Sequence, residues 1–241
     1  MAWLQMERAP EPEVMDDSSE VEAYASATAQ TYLEKIDRTF IEHLARLLAR
    51  RDGKAVTGRV LDVGCGPGQI PIMIAERWAG LRVTGIDAAA TMIEQARQNA
   101  AKAGVAIAFQ VLRVGPEGGR LPFDDAAFDV VTCNSVLHHL PDPVAVFDDI
   151  ARVAKPEAAI LVRDLRRPLA PAYAMHVRWF GRHYSGEMRR LYEASVRAAY
   201  TVEELEELLR CSALGKPNPG GNQARVFRHH RTHIGIERTG R

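Results

Sequence analysis

The run Arg59-Val60-Leu61-Asp62-Val63 passes straight into Gly64-Cys65-Gly66-Pro67-Gly68, and residues 70–78 then place apolar groups at helical spacing. A buried strand, a glycine turn and a helix form the first half of a βαβ unit, which commits a chain to a parallel sheet covered on both faces. The pattern recurs. Residues 81–87 read as a second strand, 90–103 as an alanine-rich helix closed by Gly104, 105–112 as a third strand, 128–133 as a fourth, 144–154 as a helix and 159–165 as a fifth strand. Residues 20–50 read as a leading helix with Tyr32, Ile36, Phe40, Leu44 and Leu47 at helical spacing, stopped by Arg50-Arg51-Asp52-Gly53. Past the fifth strand, residues 167–200 read as an inserted helical lid, Thr201-Val202-Glu203-Glu204 as a capping box, and 224–238 as a closing pair of strands.

At 241 residues the chain is expected to hold one domain over 20–241, with its core at about 55–165, behind a flexible tail of residues 1–19. Charged residues make up 26% and no run approaches the length of a membrane span, so a soluble, cytoplasmic protein is expected. Cys65, Cys133 and Cys211 are widely spaced and never paired as CxxC, which supports neither disulfides nor zinc. Formal net charge is zero, yet residues 163–241 hold 15 basic groups against 8 acidic ones, with the opposite excess before them. Those arginines alternate with apolar residues, as on solvated helix faces, so nucleic acid is not an expected partner.

Open α/β sheets bind ligands at the carboxyl ends of their strands, where strand order reverses. Glycines there let the backbone approach a ligand closely. A dinucleotide turn follows G-x-G-x-x-G, and counted from Gly64 the third glycine falls at Gln69. What stands instead is Asp62-x-Gly64-x-Gly66-x-Gly68, whose leading carboxylate suits an ammonium group and suits a pyrophosphate badly. Asp87 ends the second strand and can accept hydrogen bonds from both hydroxyls of a ribose, a role common to either kind of ligand.

Five segments in order, Val60 through Gly68, Gly85-Ile86-Asp87, Leu121 through Val131, Leu137-His138-His139-Leu140-Pro141-Asp142-Pro143 and Arg152-Val153-Ala154-Lys155-Pro156, resemble the motifs of class I S-adenosyl-L-methionine (SAM)-dependent methyltransferases. The similarity covers roughly residues 55–165 and is nearest to the branch with ubiquinone and menaquinone biosynthesis enzymes. It implies a Rossmann-like, seven-stranded, mostly parallel α/β sheet with helices on both faces. It also implies methyl transfer from SAM, leaving S-adenosyl-L-homocysteine (SAH), to a small-molecule acceptor, without a metal, by a monomer or homodimer. The rival readings are an NAD(P)-dependent oxidoreductase and a SAM-binding protein without catalysis.

Carried onto this chain, the resemblance gives Asp62, Gly64, Cys65, Gly66 and Gly68 to the methionine moiety, Asp87 and Ala88 to the ribose, and Asn134 and Ser135 to the neighbourhood of the sulfonium. Tyr24 resembles an aromatic that closes over the cofactor. The acid usually found after the third strand is replaced: the strand-based alignment puts Arg113 there and the downstream one puts Glu117, with Val114 offering a backbone N–H to the adenine. His139 is the first choice as base, then His138, on the expectation that neighbouring histidines do not both face one site. Asp164, beside Arg163 at the end of the fifth strand, is the remaining catalytic candidate. His229, His230 and His233 read as surface or sheet-packing residues, and His176, His183, Tyr184 and Tyr192 belong to the lid.

Overall fold

A computed structural model describes residues 6–11, 27–49 and 55–240. Helix α1 (Ala27–Leu48) leads into β1 (Gly58–Val63), α2 (Gln69–Arg77), β2 (Leu81–Asp87), α3 (Ala90–Ala103), β3 (Ala108–Val111), β4 (Phe128–Asn134), α4 (Val144–Val153) and β5 (Ala154–Leu165). The lid follows as α5 (Tyr173–Phe180) and α6 (Gly186–Ala198), and α7 (Val202–Cys211), β6 (Arg225–His229) and β7 (His233–Arg238) complete the order. Tyr24 and the Arg50 to Gly53 stop lie outside the described residues.

The seven strands run in the order β3-β2-β1-β4-β5-β7-β6, with β7 antiparallel to both neighbours and the rest parallel. This is the expected α/β sheet. Side chains alternate across each strand, so neighbours in sequence serve opposite faces. Leu61, Val131, Ile160 and Val162 meet Phe147 and Ile150 of α4 and Leu205 of α7 on one side. Val60, Val83, Val130 and Leu161 meet Phe40 and Leu44 of α1 and Ile74 of α2 on the other.

Most local signals do what their chemistry dictates. Gly104 closes α3 in the left-handed conformation, and Thr201 with Glu204 forms a complete capping box on α7. Two strand boundaries differ from expectation. β3 is an edge strand that pairs only with β2, from Ala108 to Val111, so residues 105–107 form connection rather than sheet. β5 begins at Ala154 rather than Ala159, because its first residue pairs with Phe128 across an irregularity before regular pairing resumes at Val130 and Ala159. Within residues 6–11, Ala9 N–H donates to the Arg197 carbonyl at 3.2 Å, and Arg8 Nε to the Ala198 carbonyl at 2.6 Å.

β7 enters the sheet only because position 235 lacks a side chain. A Cβ on Gly235 would lie 2.0 Å from the Val162 carbonyl oxygen and 2.7 Å from the Phe227 ring. Gly235→Ala is expected to lower stability by about 1–3 kcal/mol, the usual cost of forcing atoms into packed structure, measured by urea denaturation. An unchanged midpoint would mean that β7 yields at little cost.

Candidate active site

Strand order reverses between β1 and β4, and there the glycine turn opens into a cavity of about 410 Å3, a size suited to small molecules. Gly64 takes φ +68, and a Cβ on it would collide with Val136 at 2.2 Å. Gly66, at φ +50, would meet nothing within 4 Å: its missing side chain is open space beside the backbone, the cradle a ligand needs. Gly68 differs from expectation. It does not line the cavity, and a Cβ there would press on Ala96 of α3 at 3.1 Å, so it serves helix packing.

Both oxygens of Asp87 are oriented by the backbone, one accepting from Gly66 N–H at 2.8 Å and the other from Ala89 N–H at 2.9 Å. Asp87 and Ala88 both line the cavity. Asp62 is 2% exposed and accepts from Thr132 Oγ1 at 2.6 Å. Burial pushes its carboxyl up to about 7, with the charge of Asp87 adding to the rise. Asp37 of α1, also on the cavity wall, is pushed up to about 6 by burial even though Arg163 and Asn134 pull the other way. Three crowded carboxylates of this kind suit a cationic ligand. Cys65 lines the cavity as well, but burial raises its thiol and that of Cys133, so neither is a nucleophile at neutral pH.

Behind Asn134 on the cavity wall lies Arg163, whose guanidinium is fully buried. Its Nε donates to Asn134 Oδ1 at 2.9 Å, and its Nη1 to the Ile36 carbonyl at 3.1 Å and Thr39 Oγ1 at 2.9 Å. Asn134 in turn donates to Asp37 Oδ1 at 3.3 Å. Ser135, with φ +60, sits in a backbone region costly for a residue with a Cβ and donates its N–H to the Arg163 carbonyl at 2.8 Å. Both Asn134 and Ser135 line the cavity.

Asp164 does not pair with Arg163 and does not line the cavity. It holds His138, accepting from its backbone N–H at 2.9 Å and lying 2.7 Å from ring Nδ1. An ionised carboxylate only accepts, so Nδ1 carries the hydrogen and Nε2 is the basic nitrogen of the neutral ring. Burial is the largest influence on His138 and opposes its charge, but Asp164 and Glu11 outweigh it and raise its pKa. For Asp164, too, burial is the largest influence; His138 and two backbone donors overcome it and keep the carboxyl below its usual range. Contrary to expectation, His138 and His139 both line the cavity, ring centroids 4.1 Å apart, because the short 3-10 turn Leu137–His139 brings both rings to one side.

Several site residues carry no signal in the sequence. Glu11 places Oε2 3.7 Å from both His138 Nε2 and His139 Nδ1. Arg8 fixes that segment by donating to the His138 and Leu140 carbonyls at 3.1 and 2.9 Å. Glu11, His138 and His139 are close enough together to hold one metal ion. His233 lines the cavity rather than merely packing in the sheet, and burial pushes it down to about 3. His229 does pack, stacked 5.6 Å from His43. From the lid, Phe180, Tyr184, Met188 and Tyr192 line the cavity, while His176 and His183 do not.

The adenine end departs from expectation. Glu117 is exposed and accepts from Arg113 Nη1 at 2.9 Å, away from the cavity. Arg113 and Val114 line it instead, opposite Met92, Gln95 and Asn99 of α3. Gln95 donates to Asn99 at 3.0 Å and Asn99 to the Pro67 carbonyl at 2.9 Å, which ties that wall to the glycine turn.

Residues 61–162 match the family described as "Methyltransferase domain". The ubiquinone biosynthesis O-methyltransferase of Idiomarina loihiensis is 39% identical over 45% of this chain and 43% of its own length. That of Alkalilimnicola ehrlichii is 33% identical over 56% and 51%. The chain thus spans about half the length of the curated relatives it matches. Among solved structures, the fold is shared with the plantazolicin methyltransferase BamL, crystallised with a desmethylplantazolicin analogue and SAH (TM-score 0.68, 16% identity, 89% of this chain and 88% of that one). It is also shared with a SAM-dependent methyltransferase from Aquifex aeolicus (TM-score 0.54, 20% identity, 92% and 93%). The segment 61–162, which carries the glycine turn with Asp62 and Asp87, thus matches the methyltransferase-domain family, and the fold around it is one that SAM-dependent methyltransferases share. Nothing among these relatives supports the nicotinamide reading.

The fate of Asp62 is open to measurement. A carboxyl whose folded pKa is raised leaves stability intact below its unfolded pKa, about 4, and removes it as pH rises through about 7. Asp62→Asn keeps the oxygen that accepts from Thr132. It is expected to stabilise the ligand-free protein at about pH 8 by on the order of 2 kcal/mol, with no gain near pH 4. SAM affinity is expected to fall at least roughly tenfold. Chemical denaturation and calorimetric titration read the two effects, and equal stability at alkaline pH would show that Asp62 is not strained by its charge.

Proposed function

We propose that this chain transfers a methyl group from SAM to a hydroxyl of a small-molecule acceptor, with His138 as the base. The observation that carries the reading is the Asp164–His138 pair on the wall of the cavity, in which Asp164 holds ring Nδ1 and leaves Nε2, beside Glu11, as the basic nitrogen. The O-methyltransferase names of the relatives support oxygen as the nucleophile. Residues 20–241 would act as one domain, with 167–200 as its lid. The enzyme would work in the cytoplasm as a monomer or homodimer, independently of nucleic acid.

The residues fit SAM: Asp62 would take the ammonium end, the Gly64 to Gly66 backbone the methionine moiety, Asp87 and Ala88 the ribose, and Val114 with Met92 the adenine. Bound SAM supplies a methyl already activated on a sulfonium, so the protein's work is orientation, exclusion of water and removal of one proton. His138 Nε2 would take the acceptor's hydroxyl proton, and bound SAM would supply the methyl and depart as SAH. Asp164 keeps the ring in the productive tautomer and stabilises the imidazolium that results. Tyr184, Met188 and Tyr192 roof the reaction, and Glu11 places a carboxylate on the acceptor side.

Incubation with a panel of phenols, catechols and alcohols, read by SAH release, tests the activity. SAM bound but never consumed would leave a binding protein. With an acceptor found, kcat is expected to rise with pH through an ionisation above the ordinary histidine value, because the ring acts only when neutral. Asp164→Asn should move that ionisation down and lower kcat by about 10²–10⁴, with SAM affinity little changed. A pH profile unmoved by Asp164→Asn would remove His138 from the role of base.

A further inference from the structure

Between Asp164 and Glu187 the chain carries no acidic residue, while Arg166, Arg167, Arg178 and Arg182 alternate there with Leu169, Met175, Trp179 and Phe180. The fold turns part of this stretch outward. Leu169, Met175 and Trp179 are 54, 70 and 63% exposed, and among the described residues only Val111 is otherwise a large hydrophobic left so open. Met175 and Trp179 lie one turn apart on α5 and so share a face. His176 and Val177 supply the buried side of the same helix, and its last residue, Phe180, lines the cavity.

The ridge is rimmed by cations. Arg178 and Arg182 are exposed beside it, and Arg182 lies 4.9 Å from the Trp179 ring while donating to the Trp179 carbonyl at 2.6 Å. Arg166 donates to the Arg231 carbonyl at 2.8 Å and lies within electrostatic range of Arg228, which extends the basic rim to the β6–β7 end. Arg167 is excluded from this set, since it is buried against Glu204 and the Ala199 carbonyl.

We propose that this outward face of α5 docks on an anionic lipid surface. A short helix with an aliphatic and tryptophan ridge, flanked by Arg178 and Arg182, has the composition of segments that lie in the headgroup boundary. There the ridge leaves water and the arginines meet lipid phosphates. A second copy of this chain is disfavoured as the occupant, because the same face would bring arginine against arginine. Nucleic acid would satisfy the arginines and leave the apolar ridge in water. Docking and the cavity wall share one element, so the lid would rest on the lipid while its inner side faces the acceptor. The inference needs no methyl transfer, and its test is independent of turnover.

The full chain is sedimented with vesicles of phosphatidylcholine alone and of phosphatidylcholine mixed equally with phosphatidylglycerol. Partition is expected only onto the anionic vesicles and is expected to weaken with salt. Trp179→Ala combined with Met175→Ser should lower it by roughly tenfold, and Arg178→Glu with Arg182→Glu should abolish the preference for anionic lipid. Both pairs are exposed, so thermal melting and SAH binding should match the parent chain. Binding to neither vesicle, or equal partition of parent and variants, overturns the proposal. A concentration-dependent dimer dispersed by the same substitutions also overturns it and gives the face to a second copy.

Discussion

A single guanidinium in the interior decides where this molecule can hold a ligand. Arg163 lies at the carboxyl end of β5, and its donors reach β4 through Asn134 and α1 through Ile36 and Thr39. The leading helix is thereby fastened across the strand ends, and Ile36 and Asp37 become one wall of the cavity. Burying that charge has a cost: its pKa is pushed down to about 10, and Nη2 has no hydrogen-bond partner among the described residues. Asp37 stands 3.8 Å away and compensates only in part.

The cavity divides its chemistry by charge. At one end burial raises the carboxyls of Asp37 and Asp62, with Asp87 beside them adding to the rise at Asp62, so a cation placed there would favour their charged forms. At the other end Asp164 and Glu11 flank the His138 imidazole, whose proton affinity they raise. Acids therefore serve two purposes within one space. They bind directly where they face the cavity, and they act through histidine where they sit behind it.

The parts of this design that were legible in the sequence are those fixed by local chemistry. The β1 turn, Gly104 after α3 and Thr201 with Glu204 each report a backbone constraint within a few residues. Asp62 and Asp87 were legible because their places follow from where strands end. The rest depends on distant pairings. Glu11 meets His138 and His139 through the docking of a segment held by Arg8, by Ala9 on Arg197 and by Ser195 on Glu11. His233 reaches the cavity because β7 pairs with β5, placing Leu165 opposite His233. Glu117 looked like a ligand by type, yet a salt bridge four residues away claims it. His138 and His139 defied the rule of opposite faces because a 3-10 turn, not a strand, carries them.

β7 follows every other strand in the chain and yet lies inside the sheet, between β5 and β6. While the protein is being synthesised, β5 must therefore wait with one edge of N–H and C=O groups unpaired until residues 233–238 leave the ribosome. That edge flanks the apolar run Ile160, Leu161 and Val162, the kind of exposed strand that nascent chains use to associate wrongly. Chaperone dependence and the fate of prematurely terminated chains should thus be governed by the final strand, and a product lacking it would be both adhesive and without the His233 corner of its cavity.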